Sequence, residues 1–202
     1  MRASDGIACD GFPCVDVTHE AYHVPAVDLD PERVKVLLIS EAAPQNPVDD
    51  YYAEGEPLFA ATTVQAFQDA GIAVASMQDI LDLGVYATTA VKCAKQAYGI
   101  KAATITECSR LLKRELALFP AARSLLLMGD VAIKAVNAVA RRAGEGRVIP
   151  AGSIYKLRGG TYWFRGMRAF PSYLQAGPAF YVEKSKRAMI AEDIAAAMAL
   201  VR

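Results

Sequence analysis

The stretch YATTAVKC (Tyr86–Cys93) decides the reading of the chain. Five of its first six residues are apolar or β-branched, and no charge interrupts them before Lys92. A run this short with no alternation reads as a strand covered on both faces. A lysine and a thiol then stand where the strand hands over to a loop. VKVLLIS (34–40) and RSLLLMG (123–129) have the same character.

Helical patterns separate these runs. LFAATTVQAFQDAG (58–71) is a helix that Gly71 stops. Apolar residues at helical spacing run from Thr104 to Phe119, with Pro120 beyond. DVAIKAVNAVARRAG starts on Asp130 as N-cap and ends at Gly144. TYWFRGMRAFPSY (161–173) is a strand or hairpin whose Trp163 fills core space, and an amphipathic helix closes the chain from about Tyr181. The order predicts an α/β fold, a three-layer α/β/α domain around a mainly parallel sheet of about four strands. Residues 1–202 form one domain, with 1–33 as a polar, turn-rich arm holding one short helix. Ligands of such sheets sit at the carboxyl ends of the strands. Four peptides meet there: SEAAPQNP, TTAVKC, MGD and PSYLQAG.

At 53% hydrophobic, the 202 residues suffice for a large core. No run of 18 apolar residues spans a membrane, and no secretory or transit signal stands at the start, so a cytoplasmic protein is expected. Net charge is zero but uneven. Residues 1–60 carry twelve acidic and three basic side chains, and nine basic residues face two acidic ones between Arg142 and Ile190. A basic face of this kind suits phosphates or nucleic acid. The stretch YKLRGGTYWFRG, with Lys156, Arg158 and Arg165 beside aromatics, is one surface of that type.

Cys9 and Cys14 form a C-x4-C pair, and Cys93 and Cys108 a C-x14-C pair. Structural disulfides are not expected in a reducing compartment. Four thiolates complete a tetrahedral S4 site for zinc or a [4Fe–4S] cluster. The segment ACDGFPC is a poor core, which argues against four ordinary buried cysteines. Zinc usually prefers tighter C-x2-C knuckles, which favours the cluster. His19 and His23 read as a solvated pair.

In order and content these segments resemble the uracil-DNA glycosylase superfamily, in particular its iron–sulfur members. SEAAPQNP stands where those relatives have a GEAPG-type loop, TTAVKC where they have TNVVKC, MGDVA at their LG-x-x-A turn, and PSYLQAG at their closing PTYHPS. The resemblance implies a [4Fe–4S] cluster on Cys9, Cys14, Cys93 and Cys108, and a monomer acting on DNA by extruding a damaged base. It makes Glu41 the residue that positions or activates water, and Phe59 the stacking aromatic. Thr89 replaces the base-reading Asn and Leu174 the closing His. A threonine hydroxyl cannot pair with an imide edge in two places, and leucine donates nothing. Ser40, Ser172 and Gln175 supply the remaining polar groups of the pocket, with Gln175 able to read a base edge. Asp49 and Asp50 read as a solvated acidic loop, and Tyr51 and Tyr52 as loop anchors. Phe180 or Tyr181 is the candidate wedge into the duplex, with Lys184, Lys186 and Arg187 on phosphates. Two other readings stand beside an altered glycosylase: a cluster-bearing nucleic-acid binder without chemistry, and an enzyme acting on a small nucleotide or nucleobase.

Overall fold

The structure is a computed structural model that describes residues 1–201. Six strands form one sheet: β1 (Val17–Thr18), β2 (Val36–Ala43), β3 (Val85–Lys95), β4 (Ser124–Met128), β5 (Tyr162–Phe164) and β6 (Met167–Ser172). Their spatial order is β1-β3-β2-β4-β6-β5. The four central strands are parallel, and β1 and β5 are short antiparallel edges. The expected four-strand sheet is therefore this central part.

Alternation explains why the strands read as unbroken apolar runs. Leu37, Ile39, Leu125 and Leu127 enter one core, and Val36, Leu38, Leu126 and Met128 the other. The first core is covered by the arm, α3 (Ala102–Leu116) and α4 (Asp130–Arg142); the second by α1 (Leu58–Asp69), α2 (Met77–Asp82) and α7 (Lys184–Ala199). Two single-turn helices, α5 (Ile154–Leu157) and α6 (Ala179–Val182), fill connections. Among the described residues no helix is long and apolar enough to cross a membrane.

The segment 161–173 is a hairpin. Arg165 and Gly166 both have positive φ, the geometry of a two-residue turn that matches strand twist. Trp163 is 60% exposed, so it does not fill the core; the edge strand β5 turns it outward. Gly129, not Asp130, is the N-cap of α4. The arm holds two 3-10 turns rather than a helix. It is fastened down: Asp16 accepts the Lys101 N–H (2.6 Å) and the Thr104 hydroxyl at the start of α3.

The β2–β3 ladder breaks at one point. Ala42 pairs with Val91 but Ala43 pairs with Ala94, which leaves Lys92 and Cys93 outside the pairing. Such a bulge re-aims side chains. Here the freed backbone groups serve other elements: the Lys92 carbonyl accepts the His23 N–H (2.7 Å), and the Lys92 N–H donates to Cys108 Sγ (3.3 Å). The bulge is thus where the arm, β3 and α3 meet.

Candidate functional site

Two cavities flank the bulge. The first, about 180 Å³, is lined by Cys9 and Cys14 of the arm, Cys93 of the bulge and Cys108 of α3. Burial pushes the Cys93 thiol up to about 12, helped by repulsion from the other three sulfurs. Cys14 and Cys108 are raised too, chiefly by burial; for Cys108 the Lys92 N–H works the other way. A positively charged core would reverse the repulsion that the neighbouring sulfurs exert on Cys93. Among the described residues, no three His, Cys, Asp or Glu side chains are close enough to hold a single metal ion. The sulfurs stand around a space rather than at a point.

The histidines are not solvated as expected. His19 lines this cavity, with Nδ1 3.7 Å from Cys93 Sγ and its ring 5.1 Å from that of Phe12. His23 Nε2 lies 3.0 Å from the buried Asp50 carboxylate, within ion-pair distance but not aligned for a hydrogen bond. Asp50 therefore belongs to an arm contact rather than to a solvated loop.

The second cavity, about 590 Å³, opens at the carboxyl ends of β2 and β3. Ser40, Glu41, Phe59 and Leu174 of the expected set line it, and so do Asp49, Lys95 and Gln96. Glu41 follows the last buried polar residue of β2 and lies against Gly129. A Cβ at Gly129 would meet Glu41 Oε1 at 2.5 Å, and its φ of 101° is itself unsuited to a side chain. The glycine therefore admits the carboxylate to the β4–α4 turn. Phe59, in the first turn of α1, tilts against Tyr51 with 5.4 Å between ring centroids. Both tyrosines are anchors, as expected. The Tyr51 hydroxyl donates to Ser40 Oγ (2.7 Å), and Tyr52 Oη accepts the Ala87 N–H (2.9 Å).

Three expected pocket residues lie behind the wall instead. Ser172 is fully buried and donates to Asp193 Oδ2 (2.6 Å). Thr89 pairs with Ser40 in the ladder, and its carbonyl is held by Lys92 Nζ (2.6 Å). Gln175 donates to Tyr51 Oη (3.0 Å) and Thr63 Oγ1 (3.3 Å), while its buried Oε1 has no partner among the described residues.

The expected DNA contacts are divided. Phe180 is buried in the second core, stacked under Arg187, and cannot enter a duplex from there; Tyr181 beside it is exposed. Arg187 is paired with Asp69, Nη2 to Oδ1 at 2.8 Å. Lys186 pairs with Glu183, and Lys184 is exposed. Arg158 clamps α7 through Asp193 and Glu192 rather than standing free.

Sequence reasoning missed Lys95, the one cation among the residues lining the second cavity. It ends β3, two residues past Cys93, so the rule that ligands sit at strand ends pointed to it. Gly129 was legible as a turn but not as the neighbour of Glu41.

A search of curated proteins returns no match. The profile of the uracil DNA glycosylase superfamily matches residues 27–194, which spans every sheet strand after β1 and both walls of the larger cavity. On that match the chain belongs to the uracil DNA glycosylase superfamily.

Proposed function

We propose that this protein hydrolyses the N-glycosidic bond of uracil or another damaged base in DNA, using a pocket altered from the superfamily pattern. One observation carries the reading: Glu41, Phe59 and Leu174 face one cavity at the carboxyl ends of β2 and β3. An extruded base entering it stacks on Phe59. The Glu41 carboxylate orients a water and takes its proton as the oxygen bonds to the sugar carbon. The C–N bond breaks and its electron pair leaves with the base. With Leu174 in place of a donor, Lys95 is the lining group able to stabilise that anion.

The four cysteines would hold a [4Fe–4S] cluster, for which sulfurs spread around a cavity are better suited than for a zinc ion. When bound, the cluster supplies iron–thiolate cross-links between the arm, β3 and α3. DNA is the partner, and a monomer acting in the cytoplasm is sufficient for the chemistry.

Leu174 in the wall favours a second reading, a nucleic-acid binder that has lost excision. Incubation with oligonucleotides carrying uracil, hypoxanthine or xanthine separates the two. Strand breakage at the modified position after alkali supports the glycosylase. Retained binding with no abasic site from any base leaves the binder.

A further inference from the structure

The end of β3 and the loop leaving it build part of the pocket wall with Lys95, Gln96 and Ala97. The next residue, Tyr98, is 100% exposed. A tyrosine ring standing wholly in water contributes nothing to the core, although burial of so large a ring is favourable, so the fold does not account for it. Tyr173 precedes another wall residue, Leu174. The ammonium of Lys186 sits 5.4 Å from the Tyr173 ring centroid. Tyr98 and Tyr173 thus each adjoin a lining residue of the cavity, Ala97 and Leu174, and Lys186 stands over the second ring. Their availability contrasts with Phe180 and Arg187, which the second core and Asp69 already occupy. The Lys186–Glu183 pair is exposed on both sides, the kind of pair that exchanges partners at little cost.

Resting on the reading of the pocket as a base-excision site, we infer that Tyr98 stacks on a nucleobase next to the one held in the cavity, with Lys186 on a flanking phosphate. The substrate is then a nucleic-acid strand and not a free nucleotide. Stacking on an aromatic platform tolerates any base, since every base has a π-face. It requires what Tyr98 has: an accessible ring next to the pocket wall.

Fluorescence anisotropy with labelled single-stranded and duplex oligonucleotides containing one uracil tests this over a range of salt. Tyr98→Ala should weaken binding about tenfold with an unchanged salt slope, because a stacking partner is lost and no charge is removed. Tyr98→Phe keeps the ring and should bind as the parent does. Lys186→Ala should lower the salt slope by about one phosphate contact. If the parent binds and Tyr98→Ala binds equally tightly, the stacking role is overturned while the excision reading stands. If the parent binds neither oligonucleotide at any salt, both fall together. A free uracil nucleoside processed as fast as the oligonucleotide would overturn the strand requirement alone.

Discussion

Gly129 and Leu174 set what the pocket can do at the level of single residues. Glu41 reaches the β4–α4 turn only because Gly129 has no Cβ. Gly129→Ala adds an atom at 2.5 Å from Oε1 and forces a side chain to φ 101°, a strain of about 1–3 kcal/mol. Base excision is predicted to fall at least tenfold while the melting temperature drops by only a few degrees; equal losses in both would contradict a role for the contact. Leu174 lines the cavity without being fully buried. Leu174→His restores a donor at little cost to the core and should raise uracil excision, on the order of 10²-fold; single-turnover assays read this directly. These residues also show what was legible beforehand. Glu41 near the carboxyl end of β2, Phe59 in the first turn of α1 and Leu174 just past β6 all stand at the carboxyl edge of the sheet, where position alone implies a ligand-facing side chain. Ser172, Thr89 and Gln175 do not reach the cavity, because whether a polar residue faces a pocket or a buried partner depends on tertiary neighbours such as Asp193, Lys92 and Tyr51.

Between elements, β3 and α3 are joined by a buried charge network. Lys92 and Glu115 are fully buried, and Lys92 Nζ donates to Glu115 Oε2 (2.5 Å), Thr88 Oγ1 (2.8 Å) and the Thr89 carbonyl (2.6 Å). The Tyr86 and Thr88 hydroxyls both donate to Glu115 Oε1 at 2.8 Å. All three ammonium protons are used, so the desolvation cost is offset. Lys92→Met strands a buried carboxylate and should cost about 3–5 kcal/mol in denaturant unfolding. The double variant with Glu115→Leu should cost less than the two single changes summed; additivity would contradict the coupling. The strand pattern gave no hint of this pair, since Lys92 looks like a strand end and Glu115 like a helix surface residue. On the far side of the sheet, the Arg187 guanidinium holds the Asp69 carboxyl below its ordinary value and ties α7 to α1. A lowered carboxyl contributes stability above its unfolded value, near 4, and loses it as the pH falls through the lower folded value. The pair is partly exposed, so the contribution is about 0.5–1 kcal/mol. Asp69→Asn should flatten the stability profile below about pH 4 by that amount, measured by denaturant unfolding; an unchanged profile would contradict the pairing.

At the scale of the whole molecule, the bulge in β3 sets two cavities side by side. Its residues Lys92 and Cys93 leave the ladder so that the arm can dock, and the strand then resumes to carry Lys95 to the larger cavity. The alternation of strand and helix revealed the sheet and the strand ends that form the pocket. The hairpin holding β5 was legible too, but the short edge strand β1 and the bulge were not, because they depend on pairing across the chain rather than on local pattern. In the proposed reading, Glu41 on the wall of the larger cavity carries the excision chemistry. The most direct test compares the parent protein with Glu41→Gln in single-turnover excision from a uracil, hypoxanthine or xanthine oligonucleotide, with binding measured alongside. The rate should fall on the order of 10²–10⁴-fold at unchanged affinity, as loss of a general base predicts. An unchanged rate, or no excision by the parent on any of the three, would contradict the account.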